Sequence, residues 1–129
     1  MLQTALKVTG IDHVVLHVAD LNRAKQFYVG LLGMEVGHES AGQVFLHCGN
    51  QLVGLFTREA GAEIHAGSEV NHMALRLAAG EYAEVKAALE AAGVEVYGRP
   101  GDAHCIYLDD PDGHRLQLIT PAKQRLPRC

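Results

Sequence analysis

The feature that most constrains the fold of this chain is an internal repeat. Residues 33–36 (GMEV) are echoed 60 positions later by residues 93–96 (GVEV). The same succession precedes each echo: an alternating segment, then an amphipathic stretch that ends at a glycine. Each alternating segment opens on a histidine, His13 or His72, that follows an aspartate or an asparagine. Repetition at this period indicates that one supersecondary unit is written twice.

The first copy is predicted to be a strand, a helix and three more strands. Residues 11–18 are rich in β-branched side chains, which favours a strand. Asp20 stands where a helix N-cap belongs, and apolar residues then recur every three or four positions. Gly33 is predicted to end this helix, because the position after a helix often needs a left-handed backbone. The three further strands are predicted near 34–39, 42–48 and 51–56.

The second copy repeats this order. A strand is predicted over 70–77, then a helix with an apolar face that Gly93 ends. Three strands follow near 94–97, 104–108 and 114–119, and the proline and glycine of residues 110–113 (DPDG) favour a tight turn between the last two. We therefore predict one domain over 1–129, made of repeats at about 11–56 and 70–119 with a linker at 57–69. The tail after Pro121 is predicted to be loose.

Composition excludes several classes of protein. With 129 residues and 48% apolar content, the chain can bury a core without disulfides. A net charge of -4 with mixed signs offers no basic surface for nucleic acid. No apolar run reaches the roughly 20 residues that cross a bilayer, and the first residues do not resemble a signal peptide. We expect a cytoplasmic protein with no membrane partner, and free thiols at its three widely spaced cysteines.

Strand parity brings the polar candidates to one face. Alternate side chains of a strand point to opposite faces. His13 and His17 of the first strand therefore lie opposite its aliphatic residues, as do His72 and Arg76 of the fifth strand. Gln117 of the last strand lies opposite its leucines. If the aliphatic side chains of these strands pack against the helices, the polar side chains lie together on the opposite face of the sheet.

Four segments together resemble the vicinal-oxygen-chelate superfamily, which includes glyoxalase I, fosfomycin resistance proteins, extradiol dioxygenases and bleomycin resistance proteins. They are 11–16 (IDHVVL), the helix over 20–33, 71–74 (NHMA) and 110–118 (DPDGHRLQL). The resemblance covers about residues 11–120. It implies an α+β fold of paired βαβββ modules that form a cupped mixed sheet. It also implies a divalent metal ion in the cup and, we expect, a homodimer.

The resemblance carries the family's metal ligands to His13, His72 and Gln117. The family usually has a glutamate at the third position, so Gln117 is a departure. A neutral amide oxygen is a weaker donor than a carboxylate and leaves more charge on the cation. It also counts against Fe(II) oxygenase chemistry, which uses two histidines and a carboxylate. The implied metal is Zn, Ni, Mn or Fe, and the alternative for Gln117 is an amide that bonds substrate or water.

Further residues have candidate roles. His17 and His47 have the parity to act as the general base. Arg76, Tyr107 and His104 are candidate substrate contacts. The alternatives are an ion pair for Arg76 and simple packing for the Tyr107 ring.

The leading hypothesis for function is a glyoxalase-like, metal-dependent enzyme of lyase or isomerase type, whose small substrate is chelated through vicinal oxygens. One alternative is a metal-free protein of the bleomycin-resistance type that binds a drug or metabolite. Another is an extradiol-type dioxygenase, and a third is a structural or regulatory member without chemistry. The glutamate that serves glyoxalase I as base and metal ligand is missing from this sequence, which argues against that enzyme. Residues 97–103 contain no serine to help hold a monovalent cation, which argues against a fosfomycin thiol transferase.

Overall fold

The chain forms two compact units, Met1–Glu59 and Ala60–Cys129. The structure is a computed structural model and describes residues 6–59, 69–98, 102 and 104–126. The boundary between the units falls within the segment predicted as a linker, most of which lies outside the described residues. Each unit contains one copy of the predicted repeat.

The first unit has the predicted strand, helix and three strands. Its elements are β1 (His13–Val18), α1 (Leu21–Lys25), a π-helical segment (Gln26–Leu31), β2 (Glu35–Ser40), β3 (Gln43–Cys48) and β4 (Gln51–Thr57). The strand order is β1-β4-β3-β2, with β1 parallel to β4 and the other pairs antiparallel. This is a mixed βαβββ module.

The first helix begins as predicted but is not α-helical throughout. The Asp20 carboxylate accepts a hydrogen bond from the Arg23 amide at 3.0 Å, which confirms the N-cap. Beyond Lys25 the helix widens, and the Leu32 amide donates to the Phe27 carbonyl five residues back, at 3.0 Å. A π turn holds more residues than an α turn, so adjacent side chains diverge less. Phe27 and its neighbour Tyr28 are consequently both buried.

The apolar faces of β1, β3 and β4 form the core of the first unit. In β1 and β3 the more buried residues alternate with more exposed ones, and α1 contacts β4. Both the strands and the helix supply the buried side chains: Val18, Ala24, Phe27, Tyr28, Val44, Leu46, Val53 and Leu55. The opposite face carries His13 and His17, so the predicted parity of the first strand is confirmed.

Over its described residues, the second unit has one strand fewer than predicted. Its elements are β5 (Met73–Arg76), α2 (Tyr82–Ala91), β6 (Ile106–Asp109), β7 (Arg115–Ile119) and a short 3₁₀ helix (Lys123–Arg125). The strand order is β5-β7-β6, with β5 parallel and β6 antiparallel to β7. The turn before β7 forms as predicted: Gly113 has φ 87° and the Asp110 carboxylate accepts from the His114 amide at 2.9 Å.

The strand predicted over 94–97 is wrong in extent, because only Tyr97 bridges to Tyr107. The Val94 amide is already used, since it donates to the Leu89 carbonyl at 2.9 Å in the hydrogen-bonded end of α2. On the other side of Tyr97, the Gly98 backbone approaches Cys105 so closely that an added Cβ would lie 2.4 Å from its carbonyl oxygen. Because α2 ends just before Tyr97 and Gly98 approaches Cys105 just after it, only the Tyr97–Tyr107 bridge forms in the described residues 94–98.

Two expectations about the end of the chain are corrected. Residues 121–126 are not loose: the Gln124 side-chain amide donates to the carbonyls of Leu77 and Ile119 at 3.0 and 3.1 Å. Lys123 is buried, and its ammonium lies 3.4 Å from the Asp102 carboxylate. Cys48 is free as expected, but Cys105 belongs to a disulfide. Cys129 lies outside the described residues.

No helix within the described ranges is long and apolar enough to cross a bilayer.

Candidate functional site

His13 opens β1 on the exposed face of the first unit, where its Nδ1 lies 2.7 Å from the Asp12 carboxylate. Its ring also meets the Phe45 ring edge-on, with centroids 5.6 Å apart and an interplanar angle of 84°. No hydrogen bond involves its Nε2 in the described part of the chain. His13 therefore has one ring nitrogen engaged by its neighbour in sequence and the other open.

His72 repeats these surroundings in the second unit. Its Nδ1 lies 2.8 Å from the side-chain oxygen of Asn71. Its ring meets the Tyr107 ring edge-on at 5.4 Å and 87°. Its Nε2 also has no hydrogen-bond partner among the residues described. The repeat therefore duplicates the histidine, the polar oxygen beside it and the aromatic ring that packs against it.

Gln117 lies at the centre of β7, paired with Ala74 on one side and Tyr107 on the other. It is 3% exposed, and its Nε2 is buried without a hydrogen-bond partner in the described ranges. A buried amide group left unpaired costs about 1–3 kcal/mol. Such a cost is common where a ligand completes the bonding, so Gln117 is the strongest sign of a ligand site in this unit.

Within the second unit, His72 lies just before β5, on the strand parity of Ala74. The parallel register pairs Ala74 with Gln117, and residues two apart on a strand share a face. The contact between the His72 and Tyr107 rings agrees with this placement, since Tyr107 pairs directly with Gln117.

The two units differ at the position of Gln117. Its equivalent in the first unit is Gly54 on β4, which pairs with Val15 and Phe45. A Cβ added to Gly54 would lie 3.0 Å from the side chains of both partners, because the Phe45 ring covers the glycine. Phe45 also meets Phe56 edge-on at 5.6 Å. The first unit therefore supplies a histidine beside an apolar surface, and the second a histidine beside an amide and a hydroxyl.

His47 and His17 share the face of His13, as predicted. His47 and His13 both pair with Leu52 of β4, so their backbones are two strand spacings apart, about 10 Å. His17 is four residues along β1, about 13 Å away. A register shift at Gly37 makes room for the His47 ring, whose Nε2 would lie 2.8 Å from a Cβ at that glycine. His47 is therefore the nearer candidate base.

Of the three predicted substrate contacts, two lie on strands of the second unit and the third, His104, lies in a turn. Arg76 is exposed on the Gln117 face, and no ion pair joins it to another described residue, so its alternative interpretation gains no support. Tyr107 is half-buried, and its hydroxyl makes no hydrogen bond within the described ranges. His104 lies in the turn before β6, where its main-chain amide donates to the Asp102 carboxylate at 2.9 Å. No ring contact joins it to the Gln117 face among the described residues.

A polar cluster beside Tyr107 was missed by sequence reasoning. The Tyr97 hydroxyl donates to the Asp109 carboxylate at 2.6 Å and accepts from Arg115 Nε at 3.1 Å. Burial, followed by the bond to Asp109, raises the pKa of the Tyr97 hydroxyl, which therefore stays protonated. The Tyr97 ring stacks on Tyr107 at 5.9 Å. Asp109 and Arg115 are paired across β6 and β7, and no local sequence pattern places Tyr97 next to them.

Within the described residues, no three His, Cys, Asp or Glu side chains form a metal-binding group. The candidate ligands are two imidazoles and one amide oxygen, and the two histidines belong to different units. This donor chemistry fits a borderline divalent cation such as Zn²⁺, Ni²⁺ or Mn²⁺. A cation would bind an imidazole through its open Nε2 and the Gln117 side chain through its oxygen, not through the unpartnered nitrogen.

A chain with paired modules of this kind, each with a histidine on its open face, is of the glyoxalase-like α+β class. It belongs to the Glyoxalase/Bleomycin resistance protein/Dioxygenase superfamily, whose model matches residues 10–118. The resemblance recognised in the sequence and the predicted fold class are thereby confirmed.

Two curated relatives align with nearly the whole chain. The glutathione transferase FosA of Serratia marcescens is 30% identical over 122 residues, which are 92% of this chain and 86% of that protein. The metallothiol transferase FosB of Staphylococcus epidermidis is 25% identical over 119 residues, 89% of this chain and 84% of that protein.

Solved structures share the fold. A putative glyoxalase family protein from Bacillus anthracis has a TM-score of 0.71 and 25% identity, covering 91% of this chain and 98% of that one. The fosfomycin resistance protein FosX from Listeria monocytogenes, complexed with Mn(II) and sulfate ion, has a TM-score of 0.70 and 24% identity, covering 88% and 91%.

Proposed function

We propose that this protein is an enzyme that uses one divalent cation, held by Nε2 of His13, Nε2 of His72 and the amide oxygen of Gln117. Its substrate is a small molecule that chelates the cation through two neighbouring oxygens. The observation that carries the proposal is the repeated histidine with an open Nε2 in each unit, together with the buried Gln117 side chain of the second unit. The duplicated His13 and the family's metal-containing members, FosB and the Mn(II) complex of FosX, support it.

When bound, the cation supplies a Lewis acid that polarises the substrate oxygens. The side chains around it bind and orient the substrate. The Tyr107 hydroxyl donates to a substrate oxygen, and Arg76 attracts an anionic group. His47 accepts or returns a proton at Nε2, with His17 too far along β1 to share this role at the same atom. These groups suit lyase or isomerase chemistry.

A second candidate is the transfer of a thiol to a small electrophile such as fosfomycin. The specific observation in its favour is the alignment with FosA and FosB over 92% and 89% of the chain. In this reaction the thiol sulfur forms a bond to a substrate carbon, the carbon–oxygen bond breaks, and the thiol proton ends on the released oxygen. The lack of a serine in 97–103 argued against this activity, and residues 99–101 and 103 lie outside the described structure.

Metal content tests the first part of the proposal. Purification without chelator is expected to give close to one divalent ion per chain, with loss of the ion in His13→Ala and in His72→Ala. His38→Ala is the matched control, because this exposed histidine lies on the edge strand β2. If neither elemental analysis nor titration with Mn²⁺, Ni²⁺ and Zn²⁺ finds stoichiometric binding, the enzyme proposal is wrong, and a metal-free binder or a member without chemistry remains.

Incubation of the metal-loaded protein with fosfomycin and glutathione separates the two activities. Loss of free thiol above the rate of the His72→Ala variant supports transfer. Metal binding without loss of thiol leaves lyase or isomerase chemistry on another substrate.

We further propose that the protein works as a cytoplasmic homodimer. Light scattering on the purified chain should then give about twice its mass of 13.9 kDa. A monomer mass at micromolar concentration would contradict the dimer.

A further inference from the structure

We infer that Asp12 and Asn71 are positioning residues that hold the two histidines in the Nδ1–H tautomer. The metal-binding consequence of this inference rests on the proposed function, whereas the tautomer itself does not. In each unit the residue immediately before the histidine places a side-chain oxygen at 2.7 or 2.8 Å from Nδ1. Both distances are those of a well-formed hydrogen bond.

A neutral imidazole carries one hydrogen, and the partner of one nitrogen decides where it sits. The Asp12 carboxylate can only accept, so Nδ1 of a neutral His13 carries the hydrogen and Nε2 carries the lone pair. The Asn71 oxygen has the same effect on His72. The two repeats use different residues here, and what they share is an acceptor oxygen at one position.

The aromatic contacts have a separate effect. Phe45 and Tyr107 meet the imidazoles edge-on and so restrict the plane of each ring. An aromatic ring edge does not distinguish which nitrogen is protonated. The ring contact therefore sets the orientation, and the acidic or amide oxygen sets the tautomer.

The bond to Asp12 contributes little to folding, because 88% of that side chain is exposed. We expect this bond to affect how strongly the histidine binds a metal ion. A partner on the second ring nitrogen raises the basicity of the ligating nitrogen, and removal of such a partner typically weakens metal binding by about 10- to 100-fold. Asp12 carries a charge and Asn71 does not, so His13 is expected to be the stronger ligand of the two.

The test begins with metal-free protein labelled with ¹⁵N at histidine, at about pH 8.5 where imidazoles are neutral. In the wild type, Nδ1 of His13 and of His72 should give the shift of a protonated nitrogen, and Nε2 that of a nitrogen with a lone pair. Asp12→Asn keeps an acceptor and should keep the tautomer. Asp12→Ala should give a mixture at His13 and leave His72 unchanged, while Asn71→Ala should do the reverse.

Titration with Mn²⁺ alone tests the consequence. Asp12→Ala should bind about 10- to 100-fold more weakly than wild type, Asp12→Asn should lose less, and Asn71→Asp should bind more tightly. Glu84→Ala is the control, since it also removes one negative charge, from an exposed position on α2. An unchanged melting temperature in Asp12→Ala shows that the fold is intact.

The outcomes separate the two proposals. A wild-type His13 with its hydrogen on Nε2, or an unchanged tautomer in Asp12→Ala, overturns the positioning role. Wild-type Mn²⁺ affinity in Asp12→Ala overturns it as well, while leaving the metal site standing. The expected tautomers in a protein that binds no metal would instead reject the proposed function.

Discussion

Replacing Gln117 with glutamate tests both the burial of this position and its role as a ligand. Residue 117 is 3% exposed, and its amide has an unpartnered nitrogen. Without metal, burial at this position favours the protonated form of an introduced carboxyl group. Keeping a glutamate neutral at pH 7 costs at most about (7.0 − 4.3) × 1.36 ≈ 3.7 kcal/mol. Gln117→Glu should therefore lower the free energy of unfolding by up to roughly this amount.

The pH dependence has a definite sign. Burial raises the folded-state pKa of the introduced carboxyl group, so the destabilisation exists above the unfolded-state value of about 4.3 and disappears below it. At pH 5 the largest possible cost falls to about 1 kcal/mol, from (5.0 − 4.3) × 1.36. Urea denaturation of the wild type and the variant at the two pH values measures this difference.

Bound metal should reduce this destabilisation. The carboxylate becomes a charged ligand, so Gln117→Glu should bind Mn²⁺ more tightly than the wild type. A free metal concentration of 100 times Kd stabilises the folded state by about 2.7 kcal/mol. Gln117→Met is the matched control: it removes the unpartnered amide, should raise the free energy of unfolding by about 1–3 kcal/mol, and should weaken metal binding.

Two results would refute this reasoning. Equal stability of Gln117→Glu and wild type at pH 7 without metal would mean that residue 117 is not in a dry environment. Equal Mn²⁺ affinity of the two proteins in a calorimetric titration would mean that the residue is not a ligand.

Three further predictions concern residues away from the ligands. Gly54→Ala places a Cβ 3.0 Å from Phe45 and Val15, so it should lower the free energy of unfolding by about 1–3 kcal/mol in guanidinium; a neutral result would mean that the Phe45 ring moves freely. The His104 amide bond and the Lys123 cation hold the pKa of Asp102 below its ordinary 3.8. The ionised Asp102 carboxylate therefore stabilises the folded state above pH 3.8, and this contribution is lost as the pH falls through its lowered pKa. Asp102→Asn should reduce the loss of stability in acid, and an acid transition identical to that of the wild type would contradict this role. Burial raises the pKa of the free Cys48 thiol, so its reaction with a disulfide reagent at pH 8 should be slower than in the urea-unfolded chain; equal rates would show that Cys48 is accessible.

Local sequence patterns predicted the parts of the fold that local chemistry decides. Asp20 caps α1 with its own carboxylate, and Gly33 and Gly93 follow the helices with φ of 76° and 81°. The alternation of β1 placed His13 and His17 on one face because a strand has no other way to arrange its side chains. The repeat located His72 by the same reasoning.

The parts that were missed depend on contacts distant in sequence. The predicted strand at 94–97 failed because the end of α2 uses the Val94 amide. The tail is held by carbonyls of Leu77 and Ile119, which no pattern near Gln124 could indicate. The pairing of Gln117 with Tyr107 depends on the strand register of the second unit. Convergence of His13 with His72 stays a prediction.

In the proposed site, His13 and His72 bind the same ion. Pulsed electron paramagnetic resonance of one equivalent of bound Mn²⁺, with ¹⁵N-labelled histidine, counts the imidazoles on the metal directly. We predict two in the wild type and one in whichever of His13→Ala and His72→Ala retains the ion at high protein concentration. A count of one or none in the wild type, or a count of two that survives either substitution, would contradict the account.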